Sequence, residues 1–228
     1  MINARAQFKE MFFFVIQLGA ILAVVVLFWN KMWPFKKKST DDGVNKVGSI
    51  LRKDVWSMWF KVVVACIPGA AVTIAFDDFI EAHLHTPVVI AVTLIVYGIA
   101  FIIIERRNKT RTPKVLTLND ITYKTALIIG LFQVLSIIPG TSRSGATIIG
   151  ALLIGVSRVA AAEFTFFLAV PVMFGMSALK MVKLGFAMSA AEASILILGM
   201  VVAFIVSILV IKFLMSYIKK HDFQVFGW

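Results

Sequence analysis

The chain has 228 residues, of which 60% are hydrophobic and only 15% charged, with a formal net charge of +11. A soluble domain is about half apolar and a quarter charged, so this composition excludes an ordinary soluble enzyme, and the concentration of apolar residues in long runs points to membrane spans. The positive charge does not indicate nucleic acid, because the cations sit in short segments between apolar runs, which fits the positive-inside rule and not a DNA-binding face.

The polar stretch Met1 to Glu10 leads into an apolar run from Met11 to Trp29. A signal peptide has a shorter apolar core and a small-residue cleavage site, so this run is expected to stay as a transmembrane helix. Five segments, about 11–30, 56–76, 88–104, 160–182 and 192–217, are long enough to span a bilayer. They predict an all-α, polytopic fold with residues 1–228 as a single transmembrane domain. Lys61 and Lys212 lie close enough to span ends to snorkel to the headgroups. The lone cysteine, Cys66, lies inside a span, where no internal disulfide can form and a packing role is expected.

Loop charge sets the orientation. Segment 31–54 carries Lys31, Lys36, Lys37, Lys38, Lys46, Arg52 and Lys53, and segment 105–124 carries Arg106, Arg107, Lys109, Arg111, Lys114 and Lys124. Segment 77–87 between them has Asp77, Asp78 and Glu81 and no Lys or Arg. The first two are therefore expected in the cytoplasm and the third outside. Lys219 and Lys220 agree with this assignment, while Lys183 runs against it. Asp77, Asp78, Glu81, His83 and His85 match no metal template and read as a solvated acidic loop.

Residues 121–157 do not fit a crossing. An apolar stretch at about 121–138 runs into the polar loop 139–145, and only about 12 apolar residues follow, covering roughly 18 Å of a core about 30 Å thick. The pattern predicts a re-entrant helix–loop–helix with its loop at membrane depth, sheltered by protein or a wet cavity. Glu10-Met11-Phe12-Phe13-Phe14-Val15 also resembles Glu163-Phe164-Thr165-Phe166-Phe167-Leu168, in helices of opposite expected direction, the mark of an inverted repeat.

The loop reads Pro139-Gly140-Thr141-Ser142-Arg143-Ser144-Gly145-Ala146-Thr147. Pro139 stops the incoming helix, and Gly140 and Gly145 permit close approaches. A helix starting near Gly145 would aim the free amides of Ser144 to Thr147, Ala146 included, at an anion, aided by about half a positive charge at its N-terminus. Arg143 adds a planar fork for two phosphate oxygens, and Thr141, Ser142, Ser144 and Thr147 add hydroxyls. A bare helix cap needs one hydroxyl, not four and an arginine, so a phosphate site is favoured. An Arg at this depth calls for a partner. Gln133, ten residues earlier, either bonds the loop or a neighbouring helix.

This loop resembles the undecaprenyl-diphosphate phosphatase family, also called the bacitracin-resistance protein family. The likeness extends to Val15-Ile16-Gln17-Leu18-Gly19-Ala20-Ile21-Leu22-Ala23-Val24-Val25, to Phe76-Asp77-Asp78-Phe79-Ile80-Glu81 and to Ala161-Ala162-Glu163-Phe164, in family order. The resemblance implies hydrolysis of undecaprenyl diphosphate at the outer face of the bacterial inner membrane, recycling the carrier of peptidoglycan synthesis and giving bacitracin resistance. It maps the family's second motif onto Ser142, Arg143 and Thr147, with Arg143 as phosphate clamp. It also implies a divalent cation whose ligands belong to a first, glutamate-rich motif. That motif and the family's last helix are expected to be absent from this chain, which on this reading binds phosphate without cleaving it. The expected partners are the lipid diphosphate and the surrounding membrane lipids. The Pro-Ser-Gly-His element of the other large membrane lipid-phosphatase class is not found. The competing reading is a transporter or scramblase of a phosphorylated lipid bound between inverted repeats.

Overall fold

The computed structural model describes residues 2–35, 52–84, 86–184 and 189–228, and of 2–7, 9, 10, 77–83, 180, 183 and 184 the backbone alone. Lys36, Lys37, Lys38, Lys46 and His85 lie outside the described residues, as do the side chains of Glu10, Asp77, Asp78, Glu81, His83 and Lys183. The described residues fold into helices α1 (Ile2–Leu27), α2 (Trp29–Met32), α3 (Lys53–Leu84), α4 (Pro87–Asn108), α5 (Tyr123–Val134), α6 (Arg143–Leu153), α7 (Arg158–Leu184), α8 (Ala190–Ile218) and α9 (Gln224–Gly227). No strand forms among them, and the protein is an all-α polytopic membrane protein.

Four described helices are long and apolar enough to cross a bilayer, over Lys53–Phe76, Pro87–Asn108, Arg158–Leu179 and Ala190–Ile218. The described apolar part of α1 is Met11–Leu27. One boundary differs from expectation: the charged segment after residue 76 continues α3 as helix to Leu84. Asp77, Asp78 and Glu81 therefore lie on helical backbone, because an α-helix tolerates a charged face wherever it leaves its apolar surroundings. The Lys61 ammonium stands 6.0 Å above the ring of Tyr123, at the start of α5.

The chain forms two compact units. The first comprises residues 1–32 and 169–216, around Met11, Val15 and Leu196. Its helices approach closely at small residues: Gly19 meets the backbone of Met200, and the Ser177 hydroxyl donates to the Phe14 carbonyl at 2.7 Å. The second comprises residues 33–168 and 217–228 and contains the polar loop. Here α5 packs along α3, with Gly130 against the Ala65 backbone, and α6 packs along α5, with Gly150 under the Phe132 ring. The two segments of the sequence repeat fall in α1 and α7, one in each unit.

Helices α5 and α6 form a hairpin joined by a 3₁₀ turn, Leu135–Ile137, and the polar loop. Its 12- and 11-residue arms are each about 16–18 Å long, roughly half a bilayer core. Its feet are stitched together. Lys114 N–H donates to the Gly155 carbonyl at 2.8 Å, Ser157 N–H to the Val115 carbonyl at 2.8 Å, and the Ser157 hydroxyl to the Leu116 carbonyl at 2.9 Å. These bonds form a short parallel bridge between Val115 and Val156. The hairpin therefore returns to the place it left.

Candidate active site

At the hairpin tip, Gly140 adopts φ +89°, and a Cβ there would run into the Thr93 hydroxyl and the Ile90 carbonyl on α4. Only glycine meets both demands. The Thr93 hydroxyl lies 2.8 Å from the Pro139 carbonyl, which anchors the loop to α4. Ser142 is the N-cap of α6: its hydroxyl accepts from Gly145 N–H at 3.2 Å and its carbonyl accepts from Ala146 N–H at 2.9 Å.

That cap changes which groups face a ligand. The sequence reading started the helix near Gly145 and left the amides of Ser144 to Thr147 free. With Ser142 as cap, the helix starts at Arg143, and the Gly145 and Ala146 amides are bonded to Ser142. The open donors among the described residues are instead the amides of Ser142, Arg143 and Ser144, which meet no protein acceptor. Thr147 is fully buried, with its hydroxyl 3.0 Å from the Ser144 carbonyl and 3.0 Å from the Thr165 hydroxyl on α7. It holds α6 to α7 and offers no free donor to the loop. Ser142 and Ser144 are exposed, with their hydroxyls 3.1 Å apart.

Arg143 is half-buried, and no described carboxylate pairs with it. The expected protein partner is thus not among the described residues. Cys66 on α3 lies within electrostatic range of the Arg143 guanidinium, which brings the lone cysteine into the neighbourhood of the loop. Two further polar groups are buried and lack a hydrogen bond of normal geometry, the Thr141 hydroxyl and the Gln133 side-chain oxygen. Tyr97 on α4 is the neighbour that interacts with Thr141. The Gln133 amide nitrogen lies against Gly69 on α3, so this side chain faces a neighbouring helix. Unsatisfied buried polar groups cost about 1–3 kcal/mol each, so a polar partner would be stabilising at Thr141, two residues before Arg143, and at Gln133.

The donors gathered here are hydroxyls, backbone N–H groups and a guanidinium, an anion's set and not that of a hard cation. No group of three His, Cys, Asp or Glu side chains converges among the described residues. The described residues around the loop therefore do not fit the divalent cation implied by the resemblance.

Sequence reasoning missed Thr93, Thr165, Tyr97 and Cys66 as neighbours of the loop. It also missed Glu105, which is fully buried and accepts from Arg158 Nε at 3.0 Å and from the Phe223 amide at 3.1 Å. An acid closing an apolar run and followed by two arginines was the available signal.

The fold is that of an all-α membrane protein with a helix-capped, arginine-bearing loop at the tip of a half-length hairpin. The chain matches the family described as "Bacitracin resistance protein BacA" over residues 1–228, and it belongs to that family. It is 69% identical over 227 residues to an undecaprenyl-diphosphatase of Enterococcus faecalis, covering 100% of this chain and 80% of the relative. It is 60% identical over 227 residues to that of Lachnoclostridium phytofermentans, with the same coverage. It is 54% identical over 223 residues to that of Streptococcus thermophilus, covering 96% of this chain and 75% of the relative.

Proposed function

We propose that this protein is an undecaprenyl-diphosphate phosphatase of the bacterial cell membrane. It hydrolyses undecaprenyl diphosphate to undecaprenyl phosphate and inorganic phosphate, which returns the lipid carrier to peptidoglycan synthesis and opposes bacitracin. The observation that carries this reading is the whole-chain identity to proteins named for that reaction, up to 69%. The loop supports it independently, since its open donors suit a terminal phosphate.

In this reading the Arg143 fork holds two non-bridging oxygens of the terminal phosphate, and the Ser142, Arg143 and Ser144 amides face the third. The Ser142 and Ser144 hydroxyls and the Thr141 hydroxyl complete the cradle. Gly140 allows the backbone to close on it. Thr147 acts as a positioning residue through Thr165. Gly145 and Ala146 begin the buried body of α6, and their small size keeps the cradle open. In the reaction a water oxygen forms a bond to the terminal phosphorus while the bridging P–O bond breaks, the lipid phosphate departs, and the protons of the water pass to the released phosphate and solvent. Donors aimed at the charge that develops on phosphorus are worth most in a site that excludes water. The hairpin is read as re-entrant, entering and leaving on the cytoplasmic side and lifting the loop to membrane depth, within the inverted-repeat arrangement of one transmembrane domain.

The test is phosphate release by the intact purified protein. One phosphate per undecaprenyl diphosphate, with undecaprenyl phosphate left uncleaved, is expected. Movement of the lipid between leaflets without phosphate release would replace the hydrolase reading by the transporter reading.

A further inference from the structure

A second polar feature lies at the opposite end of the hairpin from the loop. A cavity of about 1420 Å³ opens between the stitched feet, the end of α4 and the segment that follows α8. It exceeds the roughly 300–1,000 Å³ that holds a drug-sized ligand. Six cationic side chains line it, Lys109, Arg111, Lys114, Arg158, Lys219 and Lys220, against one carboxylate, Asp222. Two of the six are engaged: Arg158 with buried Glu105, and Lys109 with Asp222 at 3.8 Å. The other four have no carboxylate partner among the described residues.

We propose that this cavity binds the phosphate headgroup of an anionic phospholipid. Position argues for a lipid. The lining includes Asn108, Arg158 and Ile218, which are terminal residues of three of the four helices long enough to cross the membrane. The cavity therefore sits at headgroup depth. Beside it, Phe226 and Trp228 are exposed, and Val225 both lines the cavity and faces outward, the aromatic and apolar rim expected at a membrane interface. A cationic hollow with an apolar lip matches an amphiphile better than a free ion. The loop charges place it on the cytoplasmic leaflet, which the positive-inside rule accounts for only in part. That rule requires cations, but neither a hollow nor a fixed floor. Here the floor is the hydrogen-bonded backbone of Lys114, Val115, Gly155 and Ser157, and the Asn108 amide bonds the Leu152 carbonyl at 3.3 Å. A bound headgroup therefore braces the hairpin at its base. The proposal is independent of the hydrolase reading.

The test uses intact protein stripped of lipid in neutral detergent. Short-chain phosphatidylglycerol, phosphatidylcholine of the same chains and inorganic phosphate are titrated separately, with retention in native mass spectrometry and melting temperature as readouts. Phosphatidylglycerol alone should be retained and raise the melting temperature. The Arg111→Gln, Lys114→Gln, Lys219→Gln, Lys220→Gln variant should lose about fivefold in affinity per cation removed. The charge-keeping variant Arg111→Lys, Lys114→Arg, Lys219→Arg, Lys220→Arg should retain it. Single Arg111→Gln and Lys219→Gln variants carry the comparison if the quadruple neutral protein does not fold. Equal binding of phosphatidylcholine, or undiminished binding by the neutral variants, would overturn the proposal. Protection by inorganic phosphate equal to that by phosphatidylglycerol would make this a free-anion site and overturn the lipid assignment.

Discussion

Arg143 follows directly on the residue that caps its helix, and that position determines what a substitution does. Arg143→Ala should reduce turnover by about 100- to 1000-fold, the usual cost of losing one preorganised donor to a developing anion. Arg143→Lys keeps the charge, loses the fork and should remain strongly impaired. Near-normal turnover in the alanine variant would remove Arg143 from the site. Cys66 gives a readout apart from activity. Because it lies within electrostatic range of the guanidinium, a lipid diphosphate at the loop should slow its modification by a small thiol reagent, and Arg143→Ala should abolish that protection. Equal labelling with and without the lipid would place the ligand elsewhere. At Asp120, outside the spans, the Thr117 hydroxyl at 2.8 Å and then the Thr117 amide at 2.9 Å hold the carboxyl below the usual carboxylate range. A depressed folded-state pKa contributes stability that is complete above roughly pH 5 and is lost as the pH falls below about 4. Asp120→Asn should flatten that part of the acid limb of a pH–melting curve, and an unchanged limb would show that this turn does not couple to unfolding.

At the scale of elements, the hairpin makes the sharpest prediction. Thr122 caps the start of α5, and Ser157 lies just past the end of α6 beside Val115. In a Cys66→Ser background, single cysteines at Thr122 and Ser157 should label from the same side of the membrane with an impermeant reagent. Labelling from opposite sides would end the re-entrant reading. A hairpin was legible in the sequence because a polar loop interrupts the apolar run and the arm after it is only about 12 residues; the first arm, read as about 121–138, is shorter as α-helix than expected and ends at Val134. The start of α6 was not legible. A serine in a hydroxyl-rich loop reads equally well as ligand donor or cap, and only the backbone at Ser142, with φ −67° and ψ 122°, decides for the cap. The far end of α3 was missed for a related reason. Acidic residues after an apolar run mark the edge of the membrane, and a helix can pass that edge without ending.

At the scale of the molecule, the Glu105 cross-tie could not be read in advance, because its partners lie 53 and 118 residues away in sequence. It joins α4, the start of α7 and the segment leading into α9. Removing one member of a buried ion pair strands the other, at a cost of about 3–5 kcal/mol. Arg158→Gln should therefore lower the melting temperature in detergent markedly, because it strands the fully buried Glu105 carboxylate with the Phe223 amide as its remaining donor. Glu105→Gln should do so less, since the guanidinium it strands is partly exposed and can be solvated. An unchanged melting temperature in Arg158→Gln would show that the tie is dispensable.

The stitched feet also bear on biogenesis. The backbone bonds joining residues 114 and 115 to 155 and 157 close a ring that is complete as soon as Ser157 has been synthesised. That precedes every residue of α7 and α8. Neither arm, at 12 and 11 residues, is long enough to span by itself, so on the re-entrant reading the pair enters together. The surface that receives it, Ala65 on α3 and Thr93 on α4, has by then already been made. On the re-entrant reading, the order of synthesis would match the order of burial: two long helices first, then the hairpin with its arginine slotting against them. Val115→Cys with Val156→Cys, in the Cys66→Ser background, would report that closure as a crosslink, and stalled chains ending within α7 should already form it.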